Sequence, residues 1–426
     1  MIDKNIEKLI NSELIRQTNG LELIPSENYV SKDVLTALSS VFTNKYSEGY
    51  PGKRYYGGQE YTDLLEQDAI DSAKKLFNAD HANVQPHSGA QANAAAFYSW
   101  LETGDTILAM ALDHGGHLTH GHPTTVLAKH FNFIQYGMKD VETGEIDFDN
   151  LRSLAIKHRP KIILAGFSAY PRDLDYGKFK EIADECGAVL MADVAHIAGL
   201  IAGGVLKNPM DFGFNIMTST THKTLRGPRG GIILSKGVAS NPLKKPEKTV
   251  ENIPTLIDRT VFPGLQGGPH MNVIAAKAVC FHEALAPEFK EYAKLVVDNS
   301  KTLAKHLMDE GCKLVTNGTD NHLILIDLVK SFGITGDEAQ IILDGVGLNT
   351  NKNAIPNDTN PPFRPSGLRL GTPAITTRGL KQKDMEILAR WIVESIKNRS
   401  SAASLASIKS EVESFSKLFP VPHLTF

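Results

Sequence analysis

Apolar positions along this chain fall into two patterns. "EYTDLLEQDAIDSAKKLF" and the alanine-rich "GAQANAAAFYSWL" repeat at the period of a helix with one buried face, whereas "TILAM", "FNFIQYG", "KIILAGF" and "AVLMADVA" are compact apolar runs of strand length. From about residue 60 the two kinds alternate, and such alternation predicts an α/β fold: a mostly parallel sheet covered by helices on both faces, with ligands bound at the carboxyl ends of the strands. Ahead of this region, residues 1 to about 18 have the spacing of an exposed amphipathic helix ended by Thr18-Asn19-Gly20, an arm suited to packing on another subunit. Beyond about residue 275 a long helical stretch gives way to a smaller mixed set: "HLILIDL", the helix "GDEAQIILDG", the strand "GLRLGT" and two terminal helices. The expected organisation is a helical arm (1–25), a large domain (26–275) and a smaller C-terminal α+β domain (276–426).

A chain of 426 residues can bury two sizeable cores. Its 45 basic against 48 acidic residues give a net charge of −3, which supplies no electrostatic footprint for nucleic acid. Its most apolar stretch, "VLMADVAHIAGLIAGGVL", is broken by Asp193, His196 and glycines, short of the roughly 20 uninterrupted apolar residues of a membrane span. The N-terminus lacks a secretory apolar region, so a cytoplasmic location is expected. Cys186, Cys280 and Cys312 are widely separated and suggest neither a disulfide framework nor a thiolate metal site. A small-molecule partner is the expectation that remains.

The candidate chemistry gathers where strands should end. In "TSTTHKTLRGPRGG" (218–231), Lys223 stands between a β-prone run and a glycine turn that enters the apolar strand "GIILS", a rigid edge rather than a charged helical face. Asp193 follows the apolar run "AVLM" and needs a cationic or hydrogen-bonding partner if buried. A lysine for a Schiff base and an acid for a pyridine nitrogen are what pyridoxal phosphate requires, and His196 would then lie near the ring's phenolic oxygen. "PHSGAQANAAAF" offers Ser88-Gly89 at a helix start for a phosphate, with Ser88 as an ordinary N-cap the plainer reading. No phosphate-binding loop of the nucleotide triphosphatases and no strand-borne dinucleotide fingerprint is present.

Three further stretches stand out. "HGGHLTHGH" holds His114, His117, His120 and His122; zinc is the rival reading, although no nearby Cys or Glu completes a ligand set, and an imidazole stacked on a planar cofactor accounts for the same residues. "NKYSEGYPGKRYYGGQEY" combines tyrosines and Glu48 with glycines, a poor core element and a good binding loop. "PSGLRLGTPA" places Arg369 in a short strand, where a guanidinium could grip a substrate carboxylate or merely lie on the surface.

Together with "LIPSENYVS", "VQPHSGAQAN", "MADVAHIAGL", "FPGLQGGPH" and "NKNAIPND", these motifs make the chain resemble the serine hydroxymethyltransferases over nearly its whole length. The resemblance implies the fold-type-I pyridoxal phosphate architecture of the aspartate aminotransferase kind, a homodimer with shared active sites (a tetramer being possible), and reversible transfer of the hydroxymethyl carbon of L-serine to tetrahydrofolate, giving glycine and 5,10-methylenetetrahydrofolate. It also implies roles. Lys223 would carry the Schiff base, Asp193 pair with the pyridinium, His117 stack on the ring, and His196 with Ser168 meet the phenolic oxygen. Ser88 and Gly89 would hold the phosphate, joined by Tyr46 and by Gly267 and Gly268 of the partner chain. Arg369 and Ser26 would orient the amino acid, and Glu48, also from the partner, would handle protons with Tyr55 and Tyr56 beside it. Leu112, Gly116, Leu118 and Asn353 resemble parts of a folate site, His222 resembles the residue that tunes reaction choice, and no metal is implied. Pro25, Ala90 and Pro171 depart from the family's usual residues and bear on affinity. The competing readings are a threonine aldolase or aminotransferase on the same scaffold, which needs no folate pocket, and a non-catalytic module binding pyridoxal phosphate or a metal.

Overall fold

A computed structural model describes residues 2–240 and 246–422. Its central sheet has seven strands in the order His81–Asn83, Gly231–Ser235, Ile216–Thr220, Val189–Asp193, Ile162–Gly166, Thr106–Met110 and Asn132–Tyr136. The last five run parallel, and Gly231–Ser235 is reversed against both of its neighbours. Ile163 and Ala165 pack into the core on one face, Ile162 and Leu164 into the core on the other. Strands buried on both faces explain why these segments read as unbroken apolar runs and not as apolar-polar alternation.

One face is covered by helices that include Glu60–Phe77, Phe148–His158, Tyr176–Cys186 and Met271–Leu285; Gly89–Trp100 and Ile253–Arg259 cover the other. Asp147 and Asp175 start the second and third of these by accepting backbone N–H groups of Asn150 and Lys178, the usual side-chain cap. Gly187 ends Tyr176–Cys186 in a left-handed conformation at φ 73°, which returns the chain at once to the strand carrying Asp193.

A second sheet is antiparallel throughout: Lys313–Leu314, Leu323–Asp327, Gly367–Gly371 and Asn351–Asn353, in that order. It packs with the helices Gly336–Gly345 and Met385–Lys397 around a separate core centred on Ile324, Leu368 and Trp391. The first helix, Lys4–Asn19, buries none of its residues. The strand after it, Leu21–Glu22, pairs with Leu348–Asn349, and Leu21 and Leu23 enter this smaller core. Helix Pro287–Asp309 serves both cores, with Phe289, Tyr292 and Val296 in the larger and Leu303 and Leu307 in the smaller. No described helix is long and apolar enough to cross a membrane.

Candidate active site

A cavity of about 820 Å³ opens at the carboxyl ends of the parallel strands. Asp193, the last residue of its strand, is buried there and fully partnered. Its Oδ2 accepts from Asn93 Nδ2 at 2.8 Å and lies 3.0 Å from His120 Nε2, while Oδ1 accepts from the Ala195 N–H at 3.1 Å. Burial works to raise the pKa of this carboxyl, but the hydrogen bond from His120, the neighbouring imidazoles and the Asn93 amide outweigh it and hold it well below the ordinary range. Asp193 is therefore a carboxylate. Gly166 beside it, on the neighbouring strand, is required by space: a Cβ there would lie 2.4 Å from the Asp193 carbonyl oxygen.

Lys223 stands three residues beyond the strand Ile216–Thr220, on a turn tied down from several sides. The Lys223 carbonyl accepts from Asn28 Nδ2 at 3.0 Å and from the Arg226 N–H at 3.1 Å. The Thr224 hydroxyl bridges the His196 carbonyl and the Gly199 N–H, each at 2.9 Å. Arg226 adopts a left-handed φ of 59°, held by its guanidinium lying 4.2 Å from the Tyr292 ring. Among the described residues the Lys223 ammonium has no ion pair and no hydrogen bond, and burial lowers its pKa to about 8. The glycines after it are contact positions. A Cβ on Gly230 would meet Lys277 Cε at 2.5 Å, and one on Gly231 would meet the Ser88 carbonyl oxygen at 2.4 Å.

Ser88 does cap its helix, accepting the Gln91 N–H at 3.2 Å, which leaves the hydroxyl proton free to donate into the cavity beside the N–H groups of Gly89 and Ala90. Gly89 is needed because a Cβ would strike Thr220 Cγ2 at 2.7 Å. On the opposite wall Arg369 donates from Nη1 to the Ser168 carbonyl at 2.5 Å and from Nε to Asn351 Oδ1 at 3.1 Å. No carboxylate pairs with it among the described residues, and burial lowers its pKa to about 10. A guanidinium fixed on neutral acceptors keeps its attraction for an incoming carboxylate.

Three of the imidazoles at the cavity, His117, His196 and His222, are kept neutral by burial. Burial brings His117 down to about 4 and His222 to about 3, and drives His196 well below its ordinary value. His117 Nδ1 accepts the Thr119 N–H at 3.2 Å, and His196 Nδ1 lies 3.2 Å from Nε2 of His322, the two rings being stacked. The atoms of His117, His120 and Asp193 able to bind a metal lie within 4.8 Å of one another. That carboxylate arrives from a strand end 73 residues away, so spacing within "HGGHLTHGH" could not show it.

Of the residues singled out from sequence, the structure brings Ser26, Ser88, Gly89, Leu112, Gly116, His117, Leu118, Ser168, Asp193, His196, His222, Lys223, Asn353 and Arg369 to this one cavity. Tyr46, Glu48, Tyr55, Tyr56, Gly267 and Gly268 are not among its lining residues. They form a second group on the surface: a Cβ at Gly267 would lie 3.2 Å from Glu48 Oε1, one at Gly268 3.3 Å from the Tyr46 ring, and Tyr46 meets Tyr56 edge to face at 5.1 Å. Ala90 also lines the cavity, Pro25 packs against Gly371, and the Pro171 carbonyl accepts from the Asp320 N–H at 2.8 Å. Asn93, His322 and Asn28 received no role from sequence, and His120 only that of a candidate zinc ligand, because each acts on another side chain or on backbone distant in the chain.

Pyridoxal phosphate fits these residues. The cavity has a buried carboxylate, a helix N-terminus beside a free hydroxyl proton and, among the described residues, an unpaired lysine of lowered pKa and an arginine without an acidic partner. Fold and site thus define a pyridoxal-phosphate-dependent transferase of fold type I. The model of the serine hydroxymethyltransferase family matches residues 1–392. The chain is also 51% identical over 419 residues to a serine hydroxymethyltransferase of Koribacter versatilis, covering 98% of this chain and 94% of that one. A serine hydroxymethyltransferase of Acidobacterium capsulatum is 50% identical over 420 residues, with the same coverage. The chain belongs to the serine hydroxymethyltransferase family.

Proposed function

We propose that the chain, with pyridoxal phosphate in the 820 Å³ cavity, interconverts L-serine plus tetrahydrofolate with glycine plus 5,10-methylenetetrahydrofolate. The observation that carries this reading is the joint presence in one cavity of Lys223, Asp193 and an Arg369 lacking any carboxylate partner among the described residues. When bound, the cofactor supplies an electron sink for the pair left on Cα as the Cα–Cβ bond of serine breaks. Lys223 is the amine that holds the cofactor covalently; at a pKa of about 8 a useful fraction is neutral and nucleophilic near neutral pH. Asp193, kept ionised by His120 and Asn93, holds a proton on the pyridine nitrogen. Ser88 and Gly89 would hold the phosphate, His117 would pack on the ring, and Ser168 with His196 would meet its phenolic oxygen, all five residues lining the cavity.

Arg369 grips the substrate carboxylate, with Ser26 beside it, and so fixes which Cα bond aligns with the ring's π system. Leu112 and Leu118, both exposed at the cavity mouth, give a flat apolar shelf for the pterin of tetrahydrofolate, with Gly116 and Asn353 adjoining, and His222 influences the choice of reaction. The surface group of Tyr46, Glu48, Tyr55, Tyr56, Gly267 and Gly268 serves the cavity of a second copy in a homodimer, Glu48 exchanging protons at the serine hydroxyl and the folate. Burden of proof rests on a serine-to-glycine assay with and without tetrahydrofolate: strong dependence on folate is expected, and equal rates without it would favour an aldolase.

A further inference from the structure

We infer that Lys277 is a positioning residue for the cofactor phosphate: a buried ammonium that fixes the backbone leading into the Ser88-Gly89 turn. The inference rests on the reading of that turn as the phosphate cradle. Lys277 lies in helix Met271–Leu285 and is 1% exposed; burial lowers its pKa to about 7, while three carbonyl acceptors around Nζ favour the protonated form. Its three N–H bonds find three backbone carbonyls, Val84 at 2.6 Å, Gly231 at 2.8 Å and Pro86 at 3.1 Å, and no carboxylate pairs with it among the described residues.

These three acceptors are not scattered. Val84 and Pro86 belong to the segment that runs from the edge strand His81–Asn83 to Ser88, and Gly231 opens the neighbouring strand. The Gly231 N–H in turn donates to the Pro86 carbonyl at 3.0 Å, so ammonium and strand grip the same short segment. Neighbouring positions are cut to fit. Gly230 leaves room for the lysine stem, and Gly231 lets its strand pass against the Ser88 carbonyl. Gln266 completes the attachment by accepting the His87 N–H at 3.2 Å and donating to the Gln85 carbonyl at 3.0 Å.

A lysine buried without a counter-ion is costly for a fold, and an apolar side chain would fill the same space more cheaply. Its location explains the cost. The connection 84–88 turns two carbonyls, those of Val84 and Pro86, towards the point that the Gly231 carbonyl also faces, and an ammonium, which donates and accepts no hydrogen bond, satisfies all three at once. The connection ends where the phosphate must be met by Ser88, Gly89 and Ala90, and there a small displacement of backbone donors weakens every anion contact together.

The test compares two ligands of the apoprotein, pyridoxal phosphate and pyridoxal, which differ only in the phosphate. Lys277→Met and Lys277→Gln are each expected to lower affinity for pyridoxal phosphate about tenfold or more, and to change affinity for pyridoxal less than about twofold. Gly230→Ala keeps the lysine but presses a methyl on its stem, and should show the same selectivity in weaker form. Equal losses for both ligands, or no loss for either, overturns the inference, as does failure of both lysine variants to give a folded apoprotein by thermal melting. Ser88→Ala is the control for the cradle itself. If it leaves the preference for pyridoxal phosphate intact, the cradle reading fails; if it reduces the preference while the lysine variants do not, only the role of Lys277 fails.

Discussion

At Lys223 the chemistry depends on a balance between burial and the Asp193 charge, and burial prevails: the pKa falls from 10.5 to about 8. Between those values the folded apoprotein binds fewer protons than the unfolded chain, so this residue costs stability below about pH 8 and the cost is relieved as pH rises from about 8 towards 10.5. The same shift sets the supply of neutral amine, and the rate at which apoprotein takes up pyridoxal phosphate covalently should climb through about pH 8 in stopped-flow absorbance. Lys223→Ala should abolish the attachment trapped by borohydride, and peptide mapping of the reduced wild type should find the label on Lys223; a label elsewhere refutes the assignment. Arg369→Lys is expected to retain the cofactor and lose about tenfold or more in glycine affinity, because an ammonium cannot reproduce the bidentate fork. Glycine titrations followed by absorbance check this, and unchanged affinity removes Arg369 from the substrate site. At this scale the sequence pointed to Lys223, Asp193 and Arg369, which the structure brings to one cavity, since a Lys, an Asp and an Arg in or just beyond apolar strands are chemically conspicuous. It did not show Asn93 and His120, whose task is to keep Asp193 ionised through contacts across 100 and 73 residues.

Elements carry these side chains to within hydrogen-bonding distance by close backbone approach. Gly199 is the sharpest case: its Cα lies against the Lys223 turn, and an added Cβ would fall 2.2 Å from the Thr224 carbonyl oxygen. Gly199→Ala is therefore expected to destabilise the protein by about 1–3 kcal/mol, measured by denaturant unfolding of the apoprotein, and to slow cofactor attachment at Lys223 as the turn shifts. Wild-type stability in this variant would show that the turn yields freely. The doubly buried strands and long helices were legible in the sequence because burial on both faces, or on one helical face, leaves a strong period. The edge strand His81–Asn83 has only three residues, and Leu21–Glu22 and Leu348–Asn349 two each; such pairings are set by tertiary contact and leave no period to read. For the chain as a set of units, we propose an arm, a large and a small division over 1–25, 26–275 and 276–426. Helix Met271–Leu285 packs wholly in the larger core and Pro287–Asp309 in both, so the latter is the spine joining the two units.

On the scale of the whole molecule, the six family-matched residues absent from the cavity lining decide how many chains an active site needs. Tyr46, Tyr55 and Tyr56 are 56%, 61% and 48% exposed, large aromatic surfaces that with Glu48 flank a hairpin of Gly49–Tyr50 with Lys53–Arg54, and Gly267 and Gly268 of a distant segment lie against Glu48 and Tyr46. A two-fold pairing that brings this hairpin of one copy to the cavity of the other would do so twice by symmetry, each site then joining Lys223 of one chain to Glu48 of its partner. Complementation tests the arrangement. Lys223→Ala and Glu48→Gln homodimers should each be nearly inactive in folate-dependent serine cleavage. In a mixed dimer one site contains both lesions and the other contains none. With random pairing half of the dimers are mixed and each has one intact site, so co-expression should restore activity to roughly a quarter of wild type. Were Lys223 and Glu48 to act within the same chain, every site of a mixed dimer would hold one lesion and no activity would return. A sample shown by tagged purification to contain mixed dimers, yet no more active than its parents, therefore eliminates the shared site and returns Glu48 to its own chain.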